Sequence, residues 1–386
     1  VNSRGTGVLE GVRVLELGQV LAGPFASAIL ADLGADVVKL ERVEGGDDAR
    51  RMGPDFRHGD SLNFQVFNRG KQSVAVDLKS DAGKAAFERL VAEADIFIHN
   101  LRPGVPKALG IDGASVCARH PRLIYCEISA FGHLGPMAPR PGYEPLVQAF
   151  SGLSSTNGGP DDPPMRAGAS ICDQGSGMWV VIGALSMLQR RTHTGQGGIL
   201  QTSLLETALV WNGQKADAFI NEGALPMRHR SGHPGFVPYE AFDTADGPLL
   251  ICCGNDRLFG KLAAEVGSPE WARDERFSNN RARLANKAAL FEQLEPILAS
   301  TSREHWIERF ESAGVPCAPV HTVPEALAHP QVQALGMLSP VGADGFSLTA
   351  LPLTIDGERP GLKAAAPRLG AHNELHGLPA FDPNNT

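Results

Sequence analysis

The first hundred residues alternate between strand-like and helix-like apolar runs, and this alternation restricts the fold more than any other feature. "VRVLEL" (12–17) is apolar and β-branched, "GQVLAGP" is a glycine-rich turn, and "FASAILADL" carries a helical apolar face. Pro24 suits the first position of that helix, and Gly34 the residue just past its end. "DVVKLE" then reads as a second strand. Two strands joined through a helix make a βαβ unit, which requires them to lie parallel. The pattern repeats with "SVAVDL" (73–78), a helix over 81–94 with Asp81 as its expected N-cap, "DIFIHN" (95–100) and "RLIYCEISAFG" (122–132). An α/β fold with a parallel sheet is the expectation.

Further along, a helix is expected from about Tyr143 and a long one through Leu188, then a short strand and a helix in "GGILQTSLLETALVWNGQKADAFI". From about Asn221 the style changes. "NEGALPMRHRSGHPGFVP" is rich in glycine, proline and basic residues, and "YEAFDTADGPLLICCG" has the alternation and Asp246-Gly247 turn of a β-hairpin. Residues 303–322 read as a helix and a strand, and "VPEALAHPQVQALGML" as another helix. With 386 residues the chain has room for two domains. The expected division is a large α/β domain over 1–222, a smaller α+β domain over 223–328, and a segment over 329–386 that returns to the large domain.

Composition removes several classes of function. A net charge of -8 argues against a general nucleic-acid role, which calls for a basic face. No run approaches the ~18 apolar residues of a membrane span. "VNSRGTGVLEG" has no apolar core, so no secretory signal is expected. The six cysteines (117, 126, 172, 252, 253, 317) form no CxxC pair and read as reduced thiols of a cytoplasmic protein. The twelve histidines show no metal-binding spacing, and no metal is expected.

Chemistry concentrates at turns. "GQVLAGP" feeds a helix N-terminus, which favours anions, although a plain βα turn reads the same way. Arg42 stands at the end of the second strand, where α/β sheets bind ligands. Arg50, Arg51, Arg57, Arg69, Lys71 and Lys79 gather nearby in sequence, as a polyanion site or as a solvated charged face. "HNLRPGVPKALGI" offers Asn100, Arg102 and Lys107, and "SAFGHLGPMAPRPGYEPL" leads Arg140, Tyr143 and Glu144 into a helix. In "AGASICDQGSGMWVVIGAL" a lone carboxylate, Asp173, sits among small apolar residues. It reads as a helix N-cap or, with N–H groups exposed at Gly175 and Gly177 to hold an oxyanion, as a nucleophile toward an activated acyl group.

Taken together, "LEGVRVLELGQVLAGPFASAILADLGADVVKLERVEGGDDARRMGP", "FNRGKQSVAVDLKS", "NLRPG", "GYEPLVQAFSGL" and "DQGSGMWVVIGALSMLQRRTHTGQG" resemble the class III coenzyme A transferases of the CaiB/BaiF type. The likeness runs along nearly the whole chain, in order. It implies a large Rossmann-like domain with a parallel sheet, a smaller α+β domain, and a homodimer of interlocked chains. It implies no tightly bound cofactor, with coenzyme A and acyl-CoA as substrates. The family's catalytic Asp falls on Asp173, and its CoA contacts fall on Leu21, Ala22, Arg42, Leu78, Lys79, Asn100, Leu101 and Arg102. Two departures shift attention to neighbours. Ala108 stands where one branch has Arg, beside Lys107, and Pro141 where it has Lys, beside Arg140. Tyr143 and Glu144 complete the candidate CoA site.

The resemblance implies covalent transfer through an acyl-aspartyl anhydride and an aspartyl-CoA thioester on Asp173. A related racemase branch needs a base on each side of the α-carbon and has His in a GHD motif; here Gly142-Tyr143-Glu144 stands there. Tyrosine, with a pKa near 10, is a poor base at neutral pH. A non-catalytic CoA-binding protein is a third reading, and it predicts loss of the nucleophile. "HPGFVPYEAF" followed by "CCGNDRLF" resembles the subgroup that takes succinyl-CoA and small dicarboxylates such as glutarate. Arg228 or His233 is then a candidate partner for the acceptor's distal acid group, which a sulfinate analogue would mimic. The loop Ser231–Gly235, with Gly232 and Gly235, reads as a lid or as an interdomain linker.

Overall fold

The computed structural model describes residues 7–341 and 345–382. The first six residues, part of the stretch on which the absence of a secretory signal was argued, lie outside them. Six strands form one parallel sheet: β1 (Arg13–Leu17), β2 (Asp36–Glu41), β3 (Gln72–Ala75), β4 (Ile96–His99), β5 (Ile124–Ser129) and β6 (Gly198–Ser203). Their spatial order is β3-β2-β1-β4-β5-β6, that of a Rossmann sheet. Alternate residues face opposite sides. Val14, Val37, Ile98 and Cys126 enter one apolar core, and Leu15, Leu40, Phe97 and Tyr125 the other.

Helix α1 (Ala22–Asp32) crosses from β1 to β2, and α2 (Asp81–Glu93) from β3 to β4. Gly34 follows α1 at φ +112°, a conformation that favours glycine, as expected of the residue past a helix end. Two caps differ from expectation. Pro24 is the third residue of α1, where its missing N–H is still one of the unpaired ones. Ser80, not Asp81, caps α2, because its extended backbone brings Oγ within 3.0 Å of the Gly83 N–H. After β5 come α3 (Glu144–Phe150), α4 (Ile171–Thr194) and, beyond β6, α5 (Leu204–Trp211). The stretch expected as one helix after β6 breaks at Asn212, and another runs over Gly213–Glu222. Another expected single helix also splits, into Val323–Ala328 and Pro330–Ala334, because Pro330 pushes His329 to an extended conformation.

Against the expectation from composition, α4 has the length and mean apolarity of a membrane span. Its packing against α1, β5 and β6 within the first core gives that apolarity another cause.

The chain separates into two compact units. The first comprises 1–153, 166–217 and 335–386, and contains the parallel sheet. The second comprises 154–165 and 218–334. It is built on a three-stranded antiparallel sheet, β7 (Tyr239–Thr244), β8 (Gly247–Cys252) and β9 (Cys317–Pro319), over its own apolar core. Within it, the Arg230 N–H donates to Gly158 O and the Arg228 guanidinium to Pro160 O, tying 154–165 to 228–230.

Candidate active site

In a Rossmann sheet the chain leaves the β1 carboxyl end toward one side and the β4 end toward the other, opening a crevice between their loops. At that switch point lies a cavity of 690 Å³. Gln19, Val20, Leu21 and Ala22 line it from the β1–α1 connection, and Asn100, Leu101 and Arg102 from the end of β4. Arg42 follows β2, Ser129 ends β5, Tyr143 and Glu144 open α3, and Asp173 lies in the first turn of α4.

Asp173 is not the cap of α4. Ser170 holds the cap position without a side-chain bond, and Asp173 is the third helical residue. Burial first, then the nearby charge of Glu144, pushes its carboxyl from 3.8 up to about 7. Glu144 is only 3% exposed. Its Oε1 accepts from Gln148 Nε2 and from the Cys172 N–H, whereas Oε2 is buried with no hydrogen-bond partner. Gln148, also buried, uses its own Oε1 to accept the Ala167 N–H at 2.8 Å, so one amide ties α3 to the segment entering α4. Cys172 is no competing nucleophile: burial, then the Glu144 charge, pushes its thiol up to about 12.

The oxyanion reading of Gly175 and Gly177 is corrected, because both lie inside α4 facing other helices. A Cβ on Gly175 would stand 2.6 Å from Thr207 of α5, and one on Gly177 2.9 Å from the Ala22 carbonyl of α1. These glycines bring helices together around the aspartate.

Three of the six residues in the basic cluster are also reassigned. Arg50 is buried in a two-nitrogen pairing with Glu41 and also reaches Asp60. Arg69 pairs with Asp32, and Lys71 with Glu16, both out of solvent. Such pairs neutralise each other in place and leave no field for a polyanion. Asn100 likewise spends its amide on protein, accepting the Gln19 N–H at 2.7 Å and donating to Gln19 O at 2.8 Å. The cations at the cavity are Arg42, which also bonds Gly46 O and Asp48, and Arg102, which no carboxylate pairs among the described residues. Behind this wall His99 is fully buried, and burial pushes its imidazole down to about 3. Nδ1 accepts the Leu101 N–H, so the neutral ring carries its proton on Nε2, toward the Tyr125 hydroxyl.

The cavity thus brings together Leu21, Ala22, Arg42, Asn100, Leu101, Arg102, Tyr143, Glu144 and Asp173. It does not include Leu78 or Lys79, which sit in the turn before α2, nor the exposed Lys107 and Arg140. Arg228, Gly232, His233 and Gly235 belong to the second unit. There His233 Nδ1 accepts the Gly235 N–H at 3.0 Å, and its ring packs on Phe236 and Tyr239. Sequence reasoning missed Gln19, Val20 and Ser129. Ser129 was signalled by its place at a strand's carboxyl end; the other two only by belonging to the first turn. Among the described residues no group of three His, Cys, Asp or Glu is placed to hold a metal.

Sheet order and cavity define an α/β protein with an open cavity at the switch point of its parallel sheet. The family model described as CoA-transferase family III matches residues 9–373, and the chain belongs to that family: it is a CoA-transferase, acting on CoA thioesters. It is 39% identical to acetyl-CoA:oxalate CoA-transferase of Acetobacter aceti, covering 94% of this chain and 93% of that protein. It is 36% identical to succinate–glutarate CoA-transferase of Agrobacterium fabrum, again covering 94% and 93%. A crystal structure of a CaiB/BaiF family protein from Brucella suis superposes with a TM-score of 0.88, at 36% identity, over 96% of this chain and 98% of that one.

Proposed function

We propose that the protein transfers coenzyme A from an acyl-CoA donor, succinyl-CoA foremost, to a small dicarboxylic acid, with Asp173 as the covalent carrier. The observation that carries this reading is a carboxylate in the wall of the switch-point cavity, half-buried and free of capping duty. Its basicity is raised toward neutrality by burial and by Glu144. A nucleophile gains from that, since a more basic carboxylate attacks better while part of it remains ionised.

An Asp173 oxygen attacks the donor's thioester carbonyl; the C–S bond breaks, and CoA thiolate leaves an acyl-aspartyl anhydride. The thiolate then attacks the aspartyl carbonyl of the anhydride, releasing the donor acid as its carboxylate and leaving an aspartyl-CoA thioester. The acceptor carboxylate attacks that thioester, CoA thiolate departs again, and a second mixed anhydride forms. Attack of the thiolate on its acceptor-derived carbonyl yields the new acyl-CoA and restores Asp173. Each intermediate keeps the energy of the thioester provided water is excluded. Leu21, Ala22, Arg42, Asn100, Leu101, Arg102 and Tyr143 are assigned to the CoA side, and Leu78, Lys79, Lys107 and Arg140 to the more distant phosphates. The loop Ser231–Gly235 is assigned to excluding water.

Two relatives at full-length similarity are named for oxalate and glutarate, both small dicarboxylates, which supports that acceptor class. The racemase reading loses support because Gly142-Tyr143-Glu144 offers no imidazole in this cavity. Free cysteines support a cytoplasmic placement, and the family resemblance supports a homodimer of interlocked chains.

Incubation with succinyl-CoA and trapping with hydroxylamine or borohydride should modify Asp173 stoichiometrically, and Asp173→Ala should lower turnover at least ~10³-fold. A protein that turns over succinyl-CoA and acceptor with Asp173 unmodified at every stage refutes the covalent route. In a panel of acceptors, Arg228→Ala should raise KM for dicarboxylates while sparing monocarboxylates; equal effects on both exclude Arg228 from acceptor recognition.

A further inference from the structure

One cavity-lining residue has a backbone that its side chain disfavours. Val20 stands at φ +65°, in the left-handed region, where a β-branched residue is a conformational outlier. Asp47 meets it from below. Asp47 Oδ1 accepts the Val20 N–H at 3.0 Å, and Oδ2 pairs with Lys39 Nζ at 2.9 Å, both side chains being fully buried. Lys39 in turn pairs with Glu16 and donates to Gly18 O at 3.0 Å, while Glu16 Oε1 accepts the Gly18 N–H at 2.7 Å. Lys71 pairs with the other Glu16 oxygen and donates to Pro24 O. Two carboxylates and two ammonium groups therefore balance beneath the loop and bond its backbone at Gly18, Val20 and Pro24. Asp47 itself does not line the cavity, although Val20 does.

We infer that Asp47 is a positioning residue for CoA transfer, holding Val20 left-handed so that the Gln19–Ala22 wall keeps its place in the cavity that Asp173 also lines. The inference rests on the transferase reading for its consequence, not for its geometry. Misplacing a substrate-positioning wall by about an ångström costs rate far beyond any loss of stability. A valine with its N–H released from Asp47 has every reason to leave φ +65°. Glycine has none, since it adopts that conformation without a steric penalty.

A double-mutant cycle separates positioning from bulk stability. Asp47→Ala should lower kcat/KM with succinyl-CoA on the order of 10- to 100-fold in the valine protein. In the V20G background the same change should cost no more than about threefold. Asp47→Asn keeps the oxygen that accepts the Val20 N–H, and should stay within about threefold of the unaltered enzyme even where its melting temperature falls. If Asp47→Ala does not fold, this variant carries the test. An equal loss from Asp47→Ala in both backgrounds overturns the inference, as does an Asp47→Asn variant that folds yet loses tenfold or more. Hydrogen exchange at the Val20 amide gives a readout independent of activity. It should stay protected in Asp47→Asn and speed up at least tenfold in Asp47→Ala, and unchanged exchange in Asp47→Ala overturns the inference too. If the unaltered protein transfers no acyl group, the functional reading fails alone, and the exchange experiment still decides the role of Asp47.

Discussion

At the scale of single residues, the proposed chemistry turns on the pair Asp173 and Glu144. Two carboxyl groups share a poorly solvated corner, and one Glu144 oxygen has no hydrogen-bond donor of its own. Ionising Asp173 there costs desolvation and repulsion together, so its titration lies near neutrality instead of near 3.8. Attack requires the ionised form. The rate of Asp173 acylation should therefore rise with pH and level off above about 7. Glu144→Gln removes the second cause of the rise while keeping a group that fills the same space, so its rising limb should move to lower pH. Pre-steady-state acylation measured from pH 5 to 9 checks both. A Glu144→Gln profile with an unmoved midpoint rules out charge coupling between the two.

At the scale of elements, α4 carries the aspartate to its place, and three glycines decide how close its neighbours come. Gly177 faces backbone, the Ala22 carbonyl of α1, which has no side chain to swing aside. Gly183 faces the branched end of Leu200, which rotates. Gly177→Ala should therefore cost about 1–3 kcal/mol and depress acylation by shifting Asp173 against the β1–α1 wall, whereas Gly183→Ala should cost under about 1.5 kcal/mol with little effect on rate. Denaturant unfolding together with acylation rates distinguishes them; similar penalties at the two positions contradict this account. The contrast also marks what sequence conveys. The βαβ alternation is legible because periodicity is local: strand and helix each declare themselves within about ten residues. Asp173, Arg42 and Arg102 were singled out in the sequence at a helix start, a strand end and a proline-glycine loop, and the fold brings all three to one cavity. The partner of Gly177 was not, because Ala22 lies far away in sequence and only the folded sheet brings them together. Nor was the fate of Arg50, Arg69 and Lys71, since a run of bases does not say which carboxylates will meet it. The left-handed valine leaves no trace in sequence at all.

At the scale of the whole molecule, the surface of the first unit raises its own demand. Ile182 of α4 is 51% exposed and Val210 of α5 57%, and Met178, Trp179, Leu209 and Trp211 lie exposed on the same two helices, with the Trp179 and Trp211 rings 6.3 Å apart. Apolar side chains so concentrated call for a cover, and the membrane-like composition of α4 fits a helix covered on more than one side. The homodimer expected from the family resemblance would supply that cover through a second copy. If the two chains interlock, they cannot part without unfolding, and this distinguishes them from two globules in face-to-face contact. Dimers of tagged and untagged chains, purified separately and mixed under native conditions, should then yield no hybrid over days, even at concentrations where ordinary dimers dissociate and re-form. Unfolding the mixture in denaturant and refolding it should yield hybrids near the statistical one in two. Native mass spectrometry reads the hybrid directly. Hybrids that form without denaturant defeat interlocking while leaving a simple dimer in place, and a monomer at every concentration defeats both.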